Sequence, residues 1–269
     1  MADGAADPTP VLTLEAVDVS VGTGRGRRRV LHEVDLDLRA GEVLGVVGRS
    51  GSGKSTLGRV CVGLQGTENG HARLASGDDL VPMGRRVLRA ARPTLQMVFQ
   101  DPYSTFPSFR TVGRTIDLNA RRLLPGADRH ARRAAALDAF GEVGLVEDHL
   151  DRRPAELSGG QLQRAAIARA LLARPRVLVA DEVVSALDLT TQAAIVSLLG
   201  EVSSARSMAV LFISHDLGVV ASSCERIAVL DDGRIVEHGA TRSVIAARRA
   251  PATRALFDAV PRLPGNPEA

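Results

Sequence analysis

The chain predicts an α/β fold with a mixed, mostly parallel sheet, an antiparallel β subdomain at its start and a helical subdomain inserted in its middle. Three observations carry that expectation. Short apolar runs at residues 43–47, 177–180, 209–213 and 227–230 are separated by stretches of helical periodicity, as in strands joined by crossover helices. Residues 11–21 alternate roughly as a strand, and Val34, Leu36 and Leu38 alternate with Asp35 and Asp37 as a second, with a basic, glycine-rich turn from Gly22 to Arg29 between them. From Asp101 to about Glu156 the texture turns helical, and after that the β/α alternation resumes.

Composition bounds the answer. With 269 residues, 45% of them hydrophobic and 24% charged, the chain can bury a full core and reads as soluble and globular. No 18 apolar residues run together, and the first ten residues lack a basic and an apolar signal region, so neither a membrane span nor a signal peptide is expected, and the expected compartment is the cytoplasm. Cys61 and Cys224 lie far apart without metal-ligand spacing and predict two buried or semi-buried thiols. A net charge of +3 is too small to argue for nucleic acid.

In chain order, the run 43–47 is apolar at every position and predicts a strand buried on both faces. A helix is expected over 56–64, and short strands at 71–75 and 95–99. Arg85, Arg86, Arg89 and Arg92, between those strands, read as a solvated helix face. A helix over 128–143 offers Ala134, Leu137, Ala139 and Phe140 as its apolar stripe, and helices follow at 161–173 and 191–202. The proline-punctuated tail, 251–269, is too short to carry a core of its own. One domain is expected over residues 11–245, its helical subdomain at about 101–160, with 246–269 as an extension.

Between the strand 43–47 and the following helix stands Gly48-Arg49-Ser50-Gly51-Ser52-Gly53-Lys54-Ser55, which fits the phosphate-binding pattern G-x-x-x-x-G-K-[ST] at each fixed position. Phosphate oxygens must be met by converging backbone N–H groups, and glycines at 48, 51 and 53 are expected to supply the unusual φ values that allow it. The helix start adds the positive end of its dipole. Lys54 is placed to reach the β and γ phosphates and Ser55 to sit on Mg²⁺. Lys54 is the only lysine in the chain, every other basic position among the 34 being arginine. A narrow ammonium on a flexible stem fits where an arginine fork does not.

A second acidic strand end is needed to hold Mg²⁺ and align water. Val177-Leu178-Val179-Ala180-Asp181-Glu182 supplies it, with Asp181 toward the metal and Glu182 as general base or water-positioning carboxylate. Upstream, Leu157-Ser158-Gly159-Gly160-Gln161 opens a helix. By spacing alone it is an N-cap with a glycine turn as readily as a second anion cradle.

That run resembles the signature motif of ABC ATPases, a branch of the phosphate-loop NTPases, and the resemblance covers almost the whole chain. Gln100 in Phe99-Gln100-Asp101-Pro102 resembles the family's Q-loop glutamine, Ser185-Ala186-Leu187-Asp188 its D-loop, and His215 in Ile213-Ser214-His215-Asp216 its switch histidine, in the family's order. The resemblance implies that ATP is bound by residues 48–56, Thr56 included, with Gln100. Ser55, Gln100 and Asp181 then hold Mg²⁺, and Glu182 and His215 act in hydrolysis. It also implies a partner cassette, the same or a different chain, packed head to tail, so that Ser158, Gly159, Gly160, Gln161 and Asp188 close the ATP held by the other chain. Closure and opening would move transmembrane permease subunits, placing the chain on the inner face of the membrane.

Three softer matches point to peptide and nickel importers, which take their solute indirectly from an external binding protein. These are the run 98–104, the stretch 213–220 with 233–239, and the tail from Pro251 with Val260-Pro261. Alternative readings are an exporter cassette or a soluble ABC ATPase acting on ribosomes or DNA. The single cassette and the absence of a long coiled-coil insert speak against the latter, and no nucleic-acid partner is expected. The chain departs from the family pattern in three places. Ala250 and Ala252 replace the usual His and Tyr of the tail, Val183-Val184 stand in place of Pro-Thr, and no aromatic precedes Phe99 to stack on adenine, Gly22 or Thr23 lying near its place.

Overall fold

The computed structural model describes residues 10–77, 79–81 and 90–258. Strands β1 (Pro10–Val21) and β2 (Arg28–Arg39) pair antiparallel, and β1 also pairs with β4 (Asn69–Leu74), which is joined by the short β5 (Asp79–Val81). This four-stranded sheet has the order β2-β1-β4-β5. The second sheet, of six strands, contains β3 (Val43–Val47), β6 (Leu95–Val98), β7 (Val177–Asp181), β8 (Ala209–Ile213), β9 (Arg226–Asp231) and β10 (Arg234–Ala240). Its order is β10-β9-β3-β8-β7-β6, parallel throughout except for the antiparallel edge strand β10.

Strands β3, β7 and β8 are buried at all positions. Because side chains alternate across a sheet, each strand feeds two cores. Leu44, Val46, Val177, Val179, Leu211 and Ile213 face the antiparallel sheet and helix α1 (Lys54–Cys61). Val43, Val47, Leu178, Ala180, Val210 and Phe212 face the remaining helices. Gly58 lets α1 lie close on this sheet: a Cβ there would stand 2.8 Å from Ile213 Cδ1 and 2.9 Å from Val179 Cγ1.

The inserted helices are α2 (Val112–Leu123), α3 (Arg129–Glu142) and α4 (Asp148–Asp151). Thr111 caps α2 by accepting from the Arg114 amide (3.3 Å), and Asp128 caps α3 by accepting from Ala131 (2.8 Å). The expected stripe on α3 needs one correction: Ala134 is exposed. The buried face is Ala136, Ala139, Phe140 and Val143, an i, i+3, i+4, i+7 series, with Leu137 packed at its edge. Alanine carries too little apolar area to decide which way a helix turns. Arg92 is exposed, and Arg85, Arg86 and Arg89 lie outside the described residues.

Helices α5 (Gly159–Leu171), α6 (Leu189–Arg206), α7 (Leu217–Ser223), α8 (Thr241–Ala247) and α9 (Pro251–Asp258) follow among the described residues. The tail is tied to the domain through α9. Its Leu256 and Phe257 pack on the main core, and the Glu237 carboxylate on β10 accepts the Arg249 and Ala250 amides (both 3.1 Å) just ahead of it. Both cysteines are free and buried, and burial pushes each thiol up to about 12. No described helix is long and apolar enough to cross a membrane.

The two sheets are riveted by Arg226 at the start of β9. Its guanidinium bonds Asp37 of β2 (2.8 and 3.0 Å) and both oxygens of Glu42 (3.1 Å). Burial pushes the Glu42 carboxyl up against the attraction of Arg226, while hydrogen bonds from Arg226 and Arg39 outweigh burial at Asp37 and hold that group below its usual range. Arg226→Ala leaves a 5% exposed Glu42 without its cation. Urea denaturation is expected to show a loss of roughly 3 kcal/mol, and Arg226→Ala with Glu42→Gln should recover part of it.

Candidate functional site

Apart from residues 158–161, the predicted site residues lie at or follow the carboxyl ends of four adjacent parallel strands, β3, β8, β7 and β6, where open α/β sheets bind ligands. The loop after β3 holds residues 48–53, and Gly53 caps α1 in the left-handed region with φ 106°. Gly51 also has positive φ (79°), as expected, but Gly48 does not. Gly48 is needed for space instead, since a Cβ there would stand 2.1 Å from the Leu230 carbonyl oxygen and 2.8 Å from Ser52 Oγ. The loop is laced to its surroundings: Ser52 N–H donates to Arg49 O (3.2 Å) and Gly233 N–H to Ser52 O (3.1 Å). Ser52 Oγ is buried without a hydrogen-bond partner, a polar atom left for a ligand.

Lys54 is 6% exposed, and its ammonium donates to the carbonyls of Gly48 (2.8 Å) and Arg49 (2.9 Å). Burial lowers its pKa, opposed by the charges of Glu182 and Asp181. One residue on, Ser55 Oγ donates to Asp181 Oδ1 (3.1 Å). Thr56 follows in the first turn of α1, half-buried. Burial raises the Asp181 pKa and the Glu182 charge adds to this, against the Ser55 hydrogen bond and the charges of Arg59 and Lys54. A buried carboxylate beside a hydroxyl, both hard oxygen donors, suits a small divalent cation such as Mg²⁺.

Glu182 has a left-handed backbone (φ 50°), held by its amide donating to Ile213 O of β8 (2.9 Å). Such a conformation is costly for a non-glycine residue and persists only where the surroundings impose it. Its carboxylate Oε1 lies 3.7 Å from His215 Nδ1, and the His215 side chain is 59% exposed. Asp216 caps α7 through the amides of Gly218 and Val219 (2.8 and 3.2 Å), which fixes the turn that presents His215.

Gln100, after β6, donates from Nε2 to Ser185 Oγ (3.2 Å), and Ser185 Oγ donates to the Glu182 carbonyl (3.0 Å). Ser185 is thus a member of the site that residue-by-residue reading left in the D-loop. Its only sequence signal is its place three residues after Glu182. The unusual Val183 and Val184 are both buried in the helix-side core.

The structure brings Lys54, Ser55, Asp181, Glu182, His215 and Gln100 together, and leaves residues 158–161 out of that group. Ser158 caps α5: its Oγ accepts the Gln161 amide (3.2 Å), and Gln161 Oε1 accepts the Ser158 amide (2.9 Å), a reciprocal capping box. Gln161 Nε2 also lies 3.3 Å from His149 Nε2. A Cβ on Gly160 would stand 2.7 Å from Thr191 Cγ2, so this helix start abuts that of α6. There Asp188 accepts from the Thr191 amide (3.0 Å) and hydroxyl (2.6 Å), which lower its pKa. Among the described residues, no hydrogen bond joins 158–161 or Asp188 to the phosphate loop.

The family profile "ABC transporter" matches residues 31–185. The chain is 43% identical over 270 residues to the nickel import ATP-binding protein NikE of Rhodospirillum rubrum, covering 97% of this chain and 94% of that one. It is 38% identical over 255 residues to a peptide import ATP-binding protein of Brucella ovis, covering 94% and 79%. Among solved structures, the dimeric ATP-binding cassette MJ0796 in a post-hydrolysis state with ADP and Pi is similar at a TM-score of 0.75 and 28% identity, over 86% of this chain and 99% of that one. The matched profile, which spans more than half of the chain, and these likenesses along nearly its whole length lead to one conclusion: the chain belongs to the ABC transporter family.

Proposed function

We propose that this chain is the ATP-hydrolysing subunit of an importer for peptides or nickel, working as one of two cassettes packed head to tail. The observation that carries this reading is the division of the site. Phosphate and metal groups converge on β3, β7 and β8, while the helix start at 158–161 stands apart, its Ser158 and Gln161 amides engaged in the capping box and its Gly159 and Gly160 amides at the first turn of α5, where another chain's nucleotide would meet them. Residues 48–56 with Lys54 take the phosphates, and Ser55, Asp181 and Gln100 hold Mg²⁺, which when bound neutralises charge on the phosphate oxygens. Glu182 accepts the proton of the attacking water or aligns it, and His215, within reach of Glu182, senses the γ-phosphate side. Ser185 holds Gln100 to the Glu182 backbone, coupling the metal side to the helical subdomain.

A groove of about 440 Å³, lined by Leu64, Phe99, Leu123 and Arg169, lies between β6, α2 and α5. Its place beside Gln100 and the inserted helices suits contact with permease subunits at the inner face of the membrane, with the external binding protein acting through them. The domain then spans 11–245, with 246–269 as an extension.

A complementation experiment tests the head-to-tail arrangement. Lys54→Ala and Ser158→Arg chains are each expected to be inactive alone, and mixing them should restore ATP turnover, because one of the two shared sites regains both halves. Lack of recovery, with mixed dimers demonstrated, overturns the arrangement.

The missing adenine platform is also testable. Gly22 cannot supply it, since a Cβ there would stand 2.6 Å from Gly26 O, but Thr23 is exposed with extended backbone. The hairpin that carries it also brings Val30 and Leu31 against Gly53 of the phosphate loop. Thr23→Tyr is expected to tighten ATP binding about fivefold, the equivalent of ~1 kcal/mol of base stacking, as read by fluorescent-nucleotide titration.

A further inference from the structure

Arginines of two of the inserted helices converge in space. Arg129, Arg132 and Arg133 meet Arg114 and Arg121 of α2 around a cavity of about 390 Å³ between α2, α3 and α4. The lining acids are Asp117 and Asp151. Asp117 is shared by three guanidiniums, those of Arg132 (2.8 Å), Arg121 (3.1 Å) and Arg114 (3.7 Å). Arg133 pairs with Glu147 outside the lining. Five cations against the two lining acids and Glu147 leave the cavity wall net positive.

A second observation points the same way. Arg129, Arg132 and Arg133 fall within the first five positions of α3, whose first turn carries no acid, so they crowd the positive end of the helix dipole. Within the chain, the Asp128 cap, Asp117 and Glu147 offset part of this charge, and among the described residues no acid pairs with Arg129. Arg132 is held rigidly, 13% exposed, by Asp117 and by its bond to Ala127 O (2.7 Å). Arg114, Arg121, Arg129 and Arg133 line the same volume, and a guanidinium carries five N–H donors, more than one carboxylate satisfies, in a space that suits a small polar ligand. Arginine forks match phosphate oxygens in pairs.

We propose that this cavity binds a phosphate-bearing anion and so forms a site on the helical subdomain separate from the ATP site. Bound phosphate would bridge α2 and α3 and relieve the repulsion among their arginines. The proposal does not depend on the transport reading, and its test keeps the two apart.

The probe is inorganic pyrophosphate, titrated calorimetrically into the full chain carrying Lys54→Ala to weaken the phosphate loop, with and without Arg121→Gln and Arg129→Gln. Vesicles of phosphatidylcholine with and without phosphatidic acid form the second arm. The expected result is single-site binding weakened at least tenfold by the two Gln substitutions, which leave ATP turnover of the otherwise wild-type chain and its thermal midpoint unchanged. Arg-dependent binding of pyrophosphate identifies a soluble source, and Arg-dependent binding confined to phosphatidic acid vesicles identifies a lipid headgroup. Binding to neither probe, or binding indifferent to Arg121 and Arg129, overturns the proposal.

Discussion

Glu182→Gln is expected to lower ATP turnover by at least about 100-fold, the scale of a lost general base, while leaving ATP binding intact. The amide keeps the size and hydrogen-bonding reach of the carboxylate but cannot take a proton. The left-handed backbone at Glu182, pinned by the Ile213 carbonyl, aims this side chain over the strand ends beside His215 Nδ1. Blocking hydrolysis should trap the closed state, so size exclusion in Mg·ATP is expected to show a dimer that the wild type does not accumulate. Phosphate release measured on the same samples gives the turnover. A variant that retains more than a tenth of wild-type turnover would place the base elsewhere.

Gly48→Ala should abolish nucleotide binding almost as completely, for a reason outside the φ argument that first singled the residue out. The added methyl would stand 2.1 Å from the Leu230 carbonyl oxygen at the end of β9, and that backbone is held in the sheet between β3 and β10. The loop must therefore move by about an ångström, which carries Lys54 and the loop amides off the phosphates, and displacement on that scale costs on the order of 100-fold. ATP affinity by equilibrium titration is expected to fall accordingly, with unchanged secondary structure by circular dichroism. Gly51→Ala is the informative contrast. No atom lies within 4 Å of a Cβ there, so only the positive φ opposes it and the loss should be smaller.

Much of the site was legible because its chemistry is written in consecutive residues. A strand, a glycine loop and a helix start form a phosphate cradle by local geometry alone, so Gly53, Lys54 and Ser55 fell where expected, as did Asp181 and Glu182 at the end of a wholly apolar strand. The buried parallel strands were equally plain, since an unbroken apolar run has few other uses. The edge strand β10 was not read as a strand because its exposure alternates weakly and pairing with β9 defines it. The face of α3 was misread at Ala134 for want of bulky side chains to mark it.

The sequence by itself determined the ATPase chemistry, the order of its motifs and the helical insertion, because each rests on short-range rules of backbone and side-chain type. Only the tertiary structure decided that Gly48 is a steric requirement, that Ser185 links Gln100 to Glu182, and that residues 158–161 stand apart from the phosphate loop. It alone also revealed that arginines of two helices share one cavity. Those are contacts between residues tens to hundreds of positions apart, set by how layers pack, and packing is a property of the whole core that no local pattern records.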